Sequence, residues 1–250
     1  MTTPIDQHRA EIERNLEAWE RKPLLREIYR GFYVEIRREI DPKIRGRVVE
    51  IGSGMGNLRK AVKGAITTDL FPAPWNDLVC DAYELPFKTG SLSHLILFDV
   101  FHHLEAPVAF LNEAHRALGP NGRIILFEPY ISLVGKLAYG KFHHEPIAWN
   151  ASINCSPKAS KLRKYYAAQG NTTRLFFKGR EWLPAGWNVI HARRFASFAY
   201  LLSGGFSKPQ FYPQGFLPPL RLIDRALSIA PQLFAARCLI VLRREPNCAR

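Results

Sequence analysis

The stretch Arg47-Val48-Val49-Glu50-Ile51-Gly52-Ser53-Gly54-Met55-Gly56-Asn57 decides how the chain is read. Val48 to Ile51 is a short β-branched run that ends abruptly in glycines, the pattern of a buried parallel strand. Gly52, Gly54 and Gly56 let the backbone turn sharply and approach a ligand with no Cβ in the way. Leu58 to Val62 can start a helix whose first N–H groups would face that ligand. Strand, glycine loop and helix together describe the nucleotide-binding corner of a doubly wound α/β domain. The dinucleotide fingerprint is G-x-G-x-x-G. Here the spacing is G-x-G-x-G, and Asn57 stands where the last dinucleotide glycine belongs.

Further strands follow in order. Ala65 to Leu70 is short and ends in an acid, Asp69, which lies about as far beyond Glu50 as the ribose-binding acid lies in doubly wound folds. Asp77 to Phe87 holds a third strand and the phrase Asp81-Ala82-Tyr83-Glu84-Leu85-Pro86-Phe87. Leu92 to Asp99 is a fourth strand, followed by Val100-Phe101-His102-His103-Leu104. Ala106 to Leu118 has the helical spacing of Phe110, Leu111, Ala114 and Leu118, and Gly119-Pro120-Asn121-Gly122 predicts a turn after it. Arg123 to Pro129 is the fifth strand. Trp187 to Phe195 fits a sixth and Cys238 to Arg243 a seventh.

The series from Val48 to Pro129 resembles the methyltransferase domain of class I S-adenosylmethionine (SAM) dependent enzymes, the type that includes ubiquinone and menaquinone methylases. Glu50 and the glycines match that family's first motif, Asp81-Ala82 its adenine-contacting pair, and Asp99 with the His-His-Leu after it its fourth. The resemblance implies a Rossmann-like, seven-stranded sheet with helices on both faces. It implies SAM as cofactor, held by Glu50, Gly52, Ser53, Gly54, Gly56, Asp69, Leu70, Asp81, Ala82 and Asp99. It says little about the methyl acceptor.

Outside that series the chain is individual. Residues 1–46 read as a helical extension, with Ile12, Leu16, Trp19 and then Leu24, Leu25, Ile28, Phe32 and Ile36 at three- and four-residue spacing and Pro23 between two helices. Residues 47–250 form the catalytic domain, with insertions at about 131–180 and 196–236 on the substrate side. Residues 1–130 carry 17 Lys and Arg against 18 Asp and Glu, whereas residues 131–250 carry 18 against 4. The whole net charge of +13 therefore belongs to the second half. That asymmetry predicts an anionic partner there: a phosphorylated or lipid-linked small molecule, with peripheral contact to an anionic membrane as a further expectation. A basic, apolar stretch from Leu220 to Phe234 suits either a membrane surface or packing on the sheet.

A methyltransferase must hold cofactor and acceptor in line and take a proton where the acceptor is a hydroxyl. His103 beside the fourth strand and His144 in the first insertion are the candidate bases, as histidine titrates near neutrality. Transfer by positioning alone is the simplest alternative. The four cysteines show no metal-ligand spacing, and no metal site is expected. The N-terminus lacks an apolar signal core and no apolar run is long enough to span a bilayer, which predicts a cytoplasmic protein. An RNA methyltransferase remains an alternative. Against it, Asp99-Val100-Phe101-His102 replaces the Asn-Pro-Pro-Tyr type of tetrapeptide, and no specific nucleic acid is expected. A non-catalytic SAM-binding protein is the second alternative.

Overall fold

The structure, a computed structural model, describes residues 4–142, 145–154, 156, 166–179 and 181–245. Its frame is a seven-stranded sheet of β1 (Arg47–Ile51), β2 (Ile66–Asp69), β3 (Leu78–Val79), β4 (Leu92–Phe98), β5 (Leu118–Pro129), β6 (Trp187–Ala196) and β7 (Ala235–Arg244). The order is β3-β2-β1-β4-β5-β7-β6. The first five strands run parallel, and β7 is antiparallel to both β5 and β6. The order reverses between β1 and β4, and in open α/β sheets ligands bind at such a switch point, beyond the carboxyl ends of the strands.

The central strands are apolar on both sides because both sheet faces are covered. Successive side chains alternate between the faces. Leu95, Leu97, Ile124, Leu126, Ile240 and Leu242 enter one core with Phe110 and Leu111 of α3 (Pro107–Ala117) and Leu175 and Phe176 of α5 (Gly170–Phe177). Ile96, Ile125, Phe127, Leu239 and Val241 enter the other with Leu25, Tyr29, Tyr33 and Ile36 of α2 (Pro23–Arg38). Each such side chain contributes about 1.5–3 kcal/mol of burial. A single charged replacement at Leu95 or Ile125, both fully buried, would therefore break the layer.

Pro23 opens α2 at its first turn and separates it from α1 (Pro4–Arg21). A proline is tolerated there because the first-turn N–H groups have no intrahelical partner. Between β5 and α5 lies α4 (Leu133–Phe142); between β6 and β7 lie α6 (Phe198–Leu202), α7 (Leu217–Leu227) and α8 (Pro231–Phe234). Thus the stretch 131–180 is not all cap: its last helix, α5, is a buried layer on the sheet.

Two local expectations are corrected. The helix expected after the glycine loop is a single 3-10 turn, Asn57–Lys60. Four glycines at 52, 54, 56 and 64 share the short crossover from β1 to β2, leaving no room for an amphipathic helix. The turn expected at Gly119 to Gly122 is absorbed into β5. Asn121 takes a left-handed φ of 59° and the register with β4 shifts between Leu92 and His94, as at a β-bulge. No helix among the described residues is long and apolar enough to cross a membrane.

Candidate active site

The glycine loop is shaped by its neighbours. Gly52 has φ 68°, and a Cβ there would meet Val100 Cγ2 at 2.6 Å. Gly54 has φ 51° but faces open space, with only Ile12 Cδ1 at 4.0 Å. The loop thus packs tightly at one glycine and presents bare backbone to the cavity at the next. Ser53 ties it to β2: its N–H donates to Thr68 O at 2.8 Å, and its hydroxyl accepts from Thr68 N at 3.0 Å. Behind it lies Glu50, buried, with Oε2 lacking a hydrogen-bond partner among the described residues. Burial raises its pKa to about 8, against the pull of the Ser53 hydroxyl. A buried acceptor facing a cavity without a partner is costly unless a ligand donates to it.

The strand-end acids stand around the same cavity. Asp69 accepts from Gly54 N through Oδ2 at 3.0 Å and from Phe71 N through Oδ1 at 3.2 Å. It therefore sets the glycine loop as well as facing the cavity. Leu70 beside it is 44% exposed on the cavity wall. Asp81 accepts from Tyr83 N at 3.0 Å, in a turn that presents Asp81 and Ala82 to the cavity.

Past β4 the chain is pinned by one carboxylate. Glu128, at the end of β5 and fully buried, accepts from Val100 N at 2.8 Å and Phe101 N at 2.7 Å through Oε1. Its Oε2 accepts from His102 Nδ1 at 2.6 Å. His103 Nδ1 donates to the Tyr166 carbonyl at 2.9 Å. The Nε2 atoms of the two rings lie 3.4 and 3.5 Å from the Glu145 carboxylate. For His102, burial alone would lower the pKa, but Glu128 and Glu145 outweigh it and raise it to about 10. For His103, burial and then the neighbouring His102 lower it to about 4. Asp99, the last acid of the series, is paired with Arg237 of β7 at 2.8 Å.

These groups line one cavity of about 1730 Å³, which also touches Glu11, Ile12 and Arg14 of α1 and Tyr200 and Leu201 of α6. Glu50, Gly52, Ser53, Gly54, Asp69, Leu70, Asp81, Ala82, Asp99 and His103 all lie on its wall. Gly56 does not; its φ of 68° lets Trp75 close over the loop, with Cδ1 where a Cβ would sit at 2.7 Å. His144, and Lys161, Arg163 and Lys164 of the basic insertion, lie outside the described residues. Sequence reasoning gave no site role to Glu128, Arg237, Tyr200 or Gln169. A charge at the end of an apolar strand was the available signal for Glu128 and Arg237, because only a paired charge survives there.

The sheet is the Rossmann-like, seven-stranded one that the sequence predicts. Residues 49–126 match the protein family described as a methyltransferase domain. Over 64 residues, 24% of this chain, the sequence is 36% identical to the Dictyostelium discoideum protein called Probable polyketide synthase 10. The chain spans 3% of the length of that curated relative. Among solved structures, one chain of the complex between the Haloferax volcanii Trm112 methyltransferase activator and its proposed methyltransferase aligns over 99% of this chain and 100% of its own. Its TM-score is 0.53 at 17% identity. A SAM-dependent methyltransferase of Thermotoga maritima aligns over 94% of this chain and 98% of its own, with TM-score 0.52 at 16% identity. At such identities these two likenesses are of fold. The chain thus carries a segment that matches the methyltransferase domain over residues 49–126 and has the fold of these two structures over nearly its whole length.

Proposed function

We propose that this protein transfers a methyl group from SAM to an anionic, partly apolar acceptor, either a small molecule or a lipid-linked one. The observation that carries this is one continuous cavity. Its volume of about 1730 Å³ exceeds the roughly 300–1,000 Å³ of a pocket for one small ligand, and it runs from the glycine loop to the His102–His103–Glu145 cluster.

The fit to SAM rests on Glu50 and Gly54. Glu50 Oε2 is a buried acceptor without a partner among the described residues, suited to the ammonium of the cofactor's methionine. Gly54 leaves open the space a side chain would fill. Asp69 and Asp81, on the same wall, are the carboxylates we assign to ribose hydroxyls and to an adenine amine. When bound, SAM supplies a methyl already activated by a sulfonium. The chain's task is to orient the acceptor, exclude water and manage a proton. His102, His103 and Glu145 lie on this wall.

The cavity also has an apolar stretch, with Leu137, Leu201, Leu202, Phe206 and Phe211, and carries Arg14, Arg21 and Lys208 together with Glu11 and Glu17. The apolar stretch supports an acceptor with a greasy body, and the 18 basic against 4 acidic side chains of residues 131–250 favour an anionic group on it. Calorimetry with SAM and NAD, followed by transfer of labelled methyl into lipid and polar cell extracts, tests the reading. SAM should bind, NAD should not, and label should enter an anionic fraction. Label in RNA alone would replace this acceptor class. SAM binding with no transfer to any fraction would make the protein a non-catalytic SAM binder.

A further inference from the structure

His102 and His103 are adjacent in sequence and their rings lie 4.1 Å apart. Each ring has its Nδ1 committed. Glu128 Oε2 accepts from His102 at 2.6 Å and the Tyr166 carbonyl accepts from His103 at 2.9 Å. A carboxylate and a carbonyl only accept, so Nδ1 carries the hydrogen in both rings. In the neutral ring the lone pair is then on Nε2. Both Nε2 atoms are turned on Glu145, at 3.4 Å from Oε2 and 3.5 Å from Oε1. His102 and Glu145 are buried, and the three side chains converge on one part of the cavity wall.

We propose that His102, His103 and Glu145 form a binding site for one divalent first-row transition-metal ion. Two imidazoles and a carboxylate are a donor set suited to zinc, iron, cobalt or nickel. One ligand atom from each of the three residues falls within 4.8 Å of the others. Bonds of about 2.0–2.2 Å put neighbouring ligand atoms roughly 3.0–3.5 Å apart around a tetrahedral or octahedral ion, and each ring has one Glu145 oxygen at such a distance, Oε2 for His102 and Oε1 for His103. The surrounding groups fit the same role. Metal-bound histidine normally donates its other N–H to a carboxylate or a backbone carbonyl, as both rings do. Gln169 Nε2 donates to Glu145 Oε2 at 2.6 Å and steadies the third ligand. All three donors line the cavity, so the remaining coordination positions would face the acceptor. A hydroxyl, carboxylate or carbonyl oxygen of the acceptor is the ligand class they would take, and a bound hydroxyl would lose its proton more readily.

The role at the acceptor rests on the methyl-transfer reading; ion binding itself does not. Chelator-stripped full-length protein is titrated with cobalt(II) chloride and followed by visible absorption, then with zinc chloride by calorimetry. The expected result is one saturable site per chain, a cobalt band of imidazole–carboxylate ligation, and loss of that band as zinc is added. His103→Ala and Glu145→Gln should each weaken zinc by at least about tenfold, the low end of what changes around a metal ligand cost. SAM affinity in both variants, measured the same way, should stay within about twofold and so report a folded site. No saturable cobalt or zinc binding by the unaltered chain overturns the proposal, whatever the variants do. So does unchanged zinc affinity in both variants. Saturable metal binding in a protein that transfers no methyl group would leave the ion site standing and overturn the functional reading instead.

Discussion

Asp99 and Arg237 meet at 2.8 Å across the cavity floor, one from the end of β4 and the other from β7, 138 residues later. Asp99 holds a left-handed φ of 57°. Arg237 is 2% exposed, and its guanidinium lies 5.0–5.5 Å from the rings of Phe32, Phe98, Phe127 and Tyr200. Burial raises the Asp99 pKa, and Arg237 opposes that rise. The pair fixes the backbone just ahead of the His102–His103 turn, so stability and site geometry share one contact.

Arg237 is buried but the Asp99 side chain is 30% exposed on the cavity wall, so removing Arg237 leaves a partly solvated acid unmatched, at a cost of about 1–3 kcal/mol. Arg237→Met keeps much of the volume among the rings and should lose about that much in urea unfolding. Arg237→Met with Asp99→Asn should recover a good part, because the stranded charge is gone. A loss in the double variant equal to the sum of the losses in Arg237→Met and Asp99→Asn would show that the two residues are not coupled.

The strands were legible because β4, β5 and β7 are covered on both faces and read as continuous apolar runs. The glycine corner and its acids were legible because backbone freedom and a strand-end carboxylate leave local marks. The 3-10 turn after the loop was missed because Leu58 and Val62 have helical spacing, whereas the glycines of the crossover make a helix there too costly. The other end of the site was not legible. Glu128 joins His102 across 26 residues and Arg237 joins Asp99 across 138. Glu145 arrives from an irregular segment with no periodic signal. Long-range pairs of this kind have no spacing rule to betray them.

If Glu50 holds the cofactor as proposed, it ties cofactor binding to pH. Its native pKa is about 8 against an ordinary 4.5, through burial above all. Between those values the native chain holds a proton that the unfolded chain has lost, so stability falls as pH rises through the window. Glu50→Gln should flatten that slope and, at its upper end, stabilise the ligand-free protein by about 1–3 kcal/mol, the range for a buried unsatisfied group. The same change should weaken SAM by about 1.5–3 kcal/mol, as expected for a lost hydrogen bond to a charged group. Urea unfolding across the window and calorimetry measure the two effects. An unaltered slope with unaltered SAM affinity would place the cofactor's ammonium elsewhere.

His94 acts on the acid side. It is 1% exposed on β4, and its Nε2 accepts from Asp41 N at 3.1 Å. Burial, and then Arg123, hold its pKa at about 4 against an ordinary 6.5, with Asp41 pulling the other way. The native ring stays neutral while the unfolded one takes a proton below 6.5. Its contribution is therefore complete above 6.5 and is lost as pH falls towards 4. About 1–3 kcal/mol should disappear over that interval, since each tenfold difference in proton affinity between the two states is worth about 1.4 kcal/mol. His94→Gln keeps a polar group at the site and should remove this part of the pH dependence. The same acid slope in both proteins would assign it to carboxylates instead.

The charge division between the halves of the chain bears on the acceptor. Residues 131–250 carry 18 basic side chains against 4 acidic ones. On the cavity wall, Lys208 in that half and Arg14 on α1 are exposed. Attraction between exposed charges is screened beyond about 8 Å at physiological ionic strength. If the acceptor is anionic, its KM should rise several-fold as salt is added. SAM affinity should change much less, because Glu50, Asp69 and Asp81, the groups proposed to hold it, lie in the charge-balanced half. Arg14→Glu with Lys208→Glu should raise the acceptor KM at low salt and remove most of its salt dependence, leaving SAM binding in place. Steady-state kinetics over a salt series, with calorimetry on the same samples, separates the two. A KM indifferent to salt and to both reversals would mean that the apolar wall of Leu201, Leu202 and Phe206 selects the acceptor. The basic surface would then serve solubility alone.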